Sequence, residues 1–471
     1  MTVDNEPFGD SFSLKAISIY RAGDDEKPYA NIMSMVTHFQ YHEDIMLPAF
    51  GGEMVVVDNA ENLVSSMPIT GWEKVIVEVE KDNLPYEYTF RVWAVGNRIG
   101  QDRKQIYTLA LISEEGLVNE GLHVNRIVNG ETSSAVIKIL GEYLGVPENK
   151  IDTEPSATSF KVIPTKKSPF ALIRSIQTKT ISAKTTAPSK GSSGSGAITA
   201  DEKGLTKNSD VRGETSKASG TAGYLFYQTR KGFVFKSFDS LCSTKEDEFD
   251  GKPSVKEFTY NIGNNSQTEV DPDIIHEIVF TQEIDMIKQM REGTYSSLVC
   301  YFNINTGKYD ETIYSLADTW KDMIHLGSQT RLPAGQTKLS RYPTRIMSTV
   351  VDDEKWYNGT KIAKDESDFP DYQKHFLAQS FSRAGIMFNQ QVTISLQGQL
   401  ELFAGDKVDI RIPNQVPEMM RDEDMWDPEH SGTYLIKNLN HQFDIEQRRV
   451  LTVLDLIRDS YGIKEKESKV L

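Results

Sequence analysis

KVIVEVE at residues 74 to 80, followed by YTFRVWAV at 88 to 95, decides the fold class. Val75, Val77 and Val79 recur at every second position, as do Tyr88, Phe90 and Val92. A period of two puts each trio on one face of a β-strand, because successive side chains of an extended chain point to opposite sides. The same alternation continues outward in SLKAISIY (13 to 20), MSMVTHFQYHED (33 to 44), EMVVVDN (53 to 59) and QIYTLALIS (105 to 113), with Gly100-Gln101-Asp102 read as a turn. About six short strands joined by tight turns predict a small antiparallel β-barrel over residues 1 to 113.

Beyond Ser113 the period changes. In TSSAVIKILGEYLG (132 to 145), Val136, Ile139, Leu140 and Tyr143 recur at helical spacing behind a Thr132 or Ser133 cap, and Gly145 and Pro147 end the helix. A second helix starts at Ser168-Pro169 and buries Phe170, Ile173 and Ile176. Residues 182 to 222, rich in Ser, Gly, Thr and Lys and containing GSSGSG, hold too little apolar surface to offset the roughly 1 to 2 kcal/mol per residue that ordering a backbone costs. They read as a flexible insertion. YLFYQTRKGFVFKSFDSL (224 to 241) then forms an aromatic hairpin around Arg230-Lys231-Gly232.

Strand-like runs follow at 254 to 261, 274 to 281 and 296 to 303. ETIYSLADTWKDMIHLG (311 to 327) reads as an amphipathic helix with Ile313, Leu316, Trp320 and Met323 on one stripe, and a further helical stretch lies near 371 to 384. Four more strands close the chain: QVTISLQGQL (391 to 400), GDKVDIRIP (405 to 413), GTYLIKNLNHQFD (432 to 444) and RVLTVLDLIRD (449 to 459).

The last strands echo the first. Lys74 and Val75 match Lys407 and Val408, with Gly71 beside Gly405 once one residue is skipped. Residues 86 to 99 align with 433 to 446, and Ile106, Thr108 and Ile112 align with Val450, Thr452 and Leu456. The expected architecture is therefore mainly β, with two similar small antiparallel β-barrels and an inserted mixed α+β domain. The first barrel covers 1 to 113, and the mixed region 114 to 253. The second barrel is discontinuous, 254 to 310 and 385 to 460, around a helical and loop part at 311 to 384. A charged tail, 461 to 471, ends the chain.

At 471 residues the chain is long enough for roughly three domains. Its 68 acidic and 52 basic residues leave a net charge of -16, which argues against wrapping nucleic acid or lying on an anionic membrane. Two cysteines, Cys242 and Cys300, cannot build a disulfide framework or a four-thiolate zinc site, so a reducing compartment is expected. There is no signal-peptide pattern at the N-terminus and no 18-residue apolar run, so neither conventional secretion nor membrane insertion is expected. No nucleophile, base and orienter pattern is legible, and no cofactor or metal motif. His38 and His42 lie about 13 Å apart on one strand face, too far to share a metal. The loop Asp422, Glu423, Asp424, Asp427, Glu429, His430 lacks the glycine and ligand order of a calcium loop.

Leu402 followed by GDKVDI, a polar loop, GTYLIKNLNHQFD and a strand ending LTVLDLIRD resembles the second barrel of contractile-tail baseplate hub proteins, including late-control and type VI spike relatives. VTHFQYHEDIMLPAFGGEMVVVDN (36 to 59), SPFALIRSI (168 to 176) and the aromatic hairpin follow in the order and spacing of the hub of T-even-like contractile-tailed phages. The likeness spans nearly the whole chain and departs at 182 to 222 and at 328 to 370. It implies a non-enzymatic virion protein, a homotrimer in which two similar barrels per chain alternate around a pseudo-sixfold ring. Such a ring adapts a sixfold tail tube to a threefold spike and lets the genome pass. The partners implied are the trimeric tail spike protein, the tail tube or tube-initiator proteins and baseplate wedge proteins, with no stable nucleic-acid binding. Residues Gly405, Asp406, Val408, Ile410, Gly432, Tyr434, His441 and Phe443 carry the barrel signature, with Gly71, Val75, Val77, Tyr88 and Phe90 as first-barrel counterparts. The rival reading is a tail-associated hydrolase of the cell envelope.

Overall fold

The computed structural model describes residues 10–59, 63–101, 104–162, 164–183, 222–244, 251–260, 272–282, 284–304, 307, 309–320, 323–327, 343–351, 356–358, 370–414 and 425–462. The insertion read at 182 to 222 falls almost wholly outside these residues. So do most of 328 to 370, Asp422 to Asp424 and all but the first two residues of the charged tail.

The N-terminal strands are β1 (Ser13–Ile19), β2 (Val36–Asp44), β3 (Gly51–Asn59), β4 (Lys74–Lys81), β5 (Leu84–Gln101) and β6 (Lys104–Ile112). They lie side by side in the order β2-β3-β6-β5-β4-β1, every neighbour antiparallel. Met33–Met35 is a 3-10 turn rather than strand, and Gly100 and Gln101, expected in a turn, are the last residues of β5, while Asp102 lies outside the described residues. The alternation does what it predicts: Val75, Val77, Tyr88, Phe90 and Val92 are all buried in one core.

Helices α1 (Glu114–Gly121), α2 (Thr132–Leu144) and α3 (Pro169–Gln177) pack with the hairpin β7 (Tyr224–Thr229) and β8 (Gly232–Ser237) around Val136, Ile139, Phe170, Ile173, Phe226 and Phe233. Ser168 Oγ accepts from Ala171 N, the expected cap, and Gly145 ends α2 at φ 69°. Thr132 and Ser133 do not cap α2. They are its first helical residues, and the free Ser133 amide donates instead to Ser156 Oγ at 3.1 Å.

The C-terminal part contributes β9 (Lys256–Tyr260), β10 (Glu277–Gln282), β11 (Ser296–Asn303), β12 (Tyr309–Ser315), β13 (Arg345–Val351), helix α4 (Pro370–Met387), β14 (Gln390–Gln397), β15 (Lys407–Arg411), β16 (Gly432–Asp444) and β17 (Arg449–Arg458). Two expectations change here. Of the helix expected at 311 to 327, residues 311 to 315 are strand: β12 pairs antiparallel with β11 from Phe302↔Tyr309 to Ser296↔Ser315, and among the described residues Leu316–Thr319 is the helical part. A three-to-four spacing of apolar residues fits a strand running into a turn as well as it fits a helix. In addition, β11 leaves the discontinuous second group. With β12 and β13 it forms a separate three-stranded sheet whose inner face, Val299, Tyr301, Tyr314 and Met347, packs with Ala378 of α4.

The remaining strands form the order β10-β14-β17-β16-β15-β9. This is the N-terminal order repeated: in each group the second, third, sixth, fifth, fourth and first strands lie in sequence. The copies differ at one end, where β9 runs parallel to β15 whereas β1 is antiparallel to β4. Val75 pairs with Phe90 as Val408 pairs with Tyr434. The register slips between Val92 and Ala94 in β5 and between Ile436 and Asn438 in β16, so both copies carry a bulge at the same place, Trp93 and Lys437.

These registers also correct the sequence alignment. Phe90 corresponds to Tyr434, three residues from the pairing of 86 to 99 with 433 to 446, and Leu111 rather than Ile112 corresponds to Leu456. An odd slip exchanges the two faces of a strand, and it passes unnoticed where both faces carry aromatic and aliphatic residues. Among the described residues neither group closes into a barrel. Both belong to one continuous 15-stranded sheet with a common core.

Candidate assembly surface

The two groups meet where β2 pairs antiparallel with the C-terminal half of β16, from Asn438↔Asp44 to Asp444↔His38. Strand β16 has 13 residues. One of its edges carries β17, and the other carries β15 over its first residues and β2 over its last. Phe39 stacks on Phe443 with ring centroids 5.4 Å apart, and Tyr88 and Phe90 meet Phe39 edge-on at 5.8 Å. Such aromatic pairs each contribute about 0.5–1.5 kcal/mol beyond the area they bury.

A buried acid locks this junction to the middle region. Glu43 accepts from Tyr41 Oη, from Arg230 N at 2.7 Å and from Ala404 N at 2.8 Å. Burial pushes its pKa up to about 7 even though those hydrogen bonds and the Arg230 charge oppose the shift. The Arg230 guanidinium lies over Tyr86, Tyr88 and Phe403 and donates to Leu400 O at 2.9 Å. His441 stacks on Tyr41 and meets Thr452 Oγ1 at 3.0 Å, and burial lowers its pKa to about 3.

A second buried tie joins α4 to the end of β17. Arg383 Nη1 donates to Asp459 Oδ2 at 2.6 Å, Nη2 lies 3.1 Å from Asp239, and His325 Nδ1 is 2.8 Å from Asp459. Burial alone would raise the Asp459 pKa. The Arg383 and His325 charges more than offset this and hold it well below the usual carboxylate range.

The residues singled out in the sequence fall into this frame. Val408, Ile410, Tyr434 and Phe443 line the common core with Val75, Val77, Tyr88 and Phe90, and Gly432 (φ 132°) starts β16. Gly405 does not correspond to Gly71 but to Trp72, with no residue skipped. Glu43, Arg230, Arg383 and Asp459 carry no local sequence signal. His38 and His42 share no metal site, and among the described residues no three His, Cys, Asp or Glu side chains are placed to hold one. Of the acidic loop, Asp427 serves its own turn, accepting from Glu429 N and binding His430 Nδ1 at 2.7 Å. A cleft of about 390 Å³ beside Gly405 is lined by five lysines, three of which are engaged by protein oxygens. Lys236 and Lys252 face Asp152 at 2.7 and 3.4 Å, and Lys407 donates to the Leu241 and Ser243 carbonyls. No helix among the described residues is long and apolar enough to cross a membrane.

A tail protein from Neisseria meningitidis MC58 superposes on this architecture with a TM-score of 0.50, covering 96% of this chain and 100% of that one at 10% identity. The chain has a tail-protein fold. The 43 kDa tail protein of prophage MuSo2 from Shewanella oneidensis aligns over 95% of this chain and 99% of its own, with a TM-score of 0.48 and 9% identity. No protein-family model and no curated protein matches the chain. In this tail-protein fold two strand edges stay open among the described residues. The outer half of β5, beyond Val92, has no strand on the edge that in β16 carries β2, and β10 pairs on one edge only, with β14.

Proposed function

We propose that this chain is a non-enzymatic structural protein of a contractile-tail baseplate, its central hub. Three copies form a ring in which the two strand groups act as two similar barrel-like modules and alternate. Six similar surfaces then face a sixfold tail tube or its initiator proteins, while the threefold axis suits a trimeric spike, with wedge proteins outside. The protein resides in the virion tail, assembled in the host cytoplasm. The observation that carries this reading is the repeated strand order of the two groups, down to the matched bulges at Trp93 and Lys437. A threefold assembly can present near-sixfold symmetry only if each chain holds two like units. Shared fold with a tail protein supports the same placement. A net charge of -16 per chain suits a channel that passes a genome without binding it.

Immunogold labelling of phage particles with antibody to this chain tests the proposal. Label at the distal end of the tail, and loss of assembled tails when the chain is removed, is expected. Complete tails assembled without the chain would overturn it.

A further inference from the structure

We propose that neighbouring copies of this chain join strand to strand, the open edge of β10 in one copy pairing antiparallel with the outer half of β5 in the next. The proposal rests on the ring reading above and names the surface that closes the ring.

The template lies within the chain. Strand β10 holds the place in its group that β2 holds in the other, and β5 holds the place of β16. The chain makes the β2–β16 junction itself, whereas the equivalent β10–β5 junction lacks its partner. The side chains carry the same asymmetry. Phe39 (1% exposed), Phe443 (2%) and Leu439 (0%) are buried at the junction that exists. Two of their equivalents are apolar too, Ile278 for Phe39 and Val95 for Leu439; a second register shift in β5, between Gly96 and Ile99, puts Gly100 in the place of Phe443 and Ile99 in that of Gln442. Yet Val95 is 42% exposed, and Ile99 on the same open edge is 62% exposed. Open edges with apolar side chains invite strand addition, and single-chain proteins usually blunt them with charge, proline or a covering loop. Gly96 and Gly100 add a separate sign, since a Cβ at either would meet nothing within 4 Å in the single chain. Glycine weakens a strand interior, and local packing does not call for it here; a neighbour's backbone approaching closely does.

The register follows by transfer. Phe443↔Phe39 and Gln442↔Gln40 become Gly100↔Ile278 and Ile99↔Val279, and Ile99 and Val279, 62% and 45% exposed in the single chain, then form an apolar cross-strand pair. Ile445 N donates to Thr37 O and Ile45 N to Lys437 O, which makes 443/39 a hydrogen-bonded pair and 442/40 the closer, non-hydrogen-bonded kind. Each copy offers one edge of each sort, so contacts run head to tail and can close into a ring.

Cysteines at 99 and 279 should therefore face each other across the contact, at about 4.5 Å between Cα atoms, close enough for a disulfide. The full chain carrying Ile99→Cys and Val279→Cys together is expected to oxidise to covalent dimers and closed trimers, while either substitution alone leaves single chains on a denaturing gel. Ile99→Lys, on an exposed side chain, is expected to leave the fold intact and the protein monomeric. If the parent is trimeric but the double variant does not cross-link and Ile99→Lys stays trimeric, the strand pairing is wrong and the ring reading stands. If the parent is monomeric at micromolar concentration, both fall.

Discussion

Trp72 and Gly405 hold the same place in two copies of one turn. Their φ angles are 84° and 88°; Trp72 N donates to Val92 O and Gly405 N to Ile436 O, each 2.8 Å, on residues that correspond in β5 and β16. The next residue is acidic in both copies. Glu73 accepts from Thr70 N at 2.7 Å and Asp406 from Phe403 N at 3.1 Å, the amide three residues back in each case. A turn copied to its side-chain cap supports a duplication more strongly than alternating strands can, because alternation is common to all sheets.

Gly405 is also the tighter of the two sites, since a Cβ there would run into the Tyr227 hydroxyl. Gly405→Ala is expected to destabilise the full chain by about 2–4 kcal/mol, combining left-handed strain with the clash. Denaturant unfolding checks this, and a change within about 0.5 kcal/mol, typical of an unconstrained surface site, would contradict it.

Glu43 sets a pH dependence. Its folded pKa of about 7 lies above the ordinary 4.5, so the folded protein holds this proton more tightly than the unfolded chain. Its contribution is fully present below about pH 4.5 and is lost as pH rises through 7, a change on the order of 3 kcal/mol. Glu43→Gln removes the titration but loses an acceptor for one backbone amide. The variant should be less stable than the parent at pH 5 and gain on it by pH 8. Parallel stability curves for the two proteins would contradict the assignment.

The Arg383–Asp459 pair is fully buried, as is Asp239 beside it. Arg383→Met would leave two carboxylates in the interior without their cation. A loss of about 3–5 kcal/mol is expected, measured by unfolding at pH 7. The parent's advantage should shrink at low pH, where protonation relieves the stranded carboxylates.

Much of the fold was legible in the sequence because alternation is a local property. KVIVEVE and YTFRVWAV gave β4 and β5, and Ser168-Pro169 gave the start of α3. Register was not legible, since Phe90 and Tyr434 correspond only through their shared partners, Val75 and Val408. The strand β12 was hidden because only Ile313 of the apolar stripe lies in it, while Leu316, Trp320 and Met323 follow at helical spacing. Sheet membership of β11 depends on Arg345–Val351, a strand that alternation did not flag. The junction acid was beyond local reading: Glu43 and Ala404 meet across 361 residues of chain. Exposed Val95, by contrast, was visible as an apolar residue, but only the structure showed that its counterpart Leu439 is buried.

The central claim, that three two-module chains make one ring, is tested most directly by the mass of the purified full-length protein in solution. Light scattering at micromolar concentration is expected to give three times 53.1 kDa, about 159 kDa. A single species at 53.1 kDa, unchanged on raising the concentration or adding the spike partner, would contradict it.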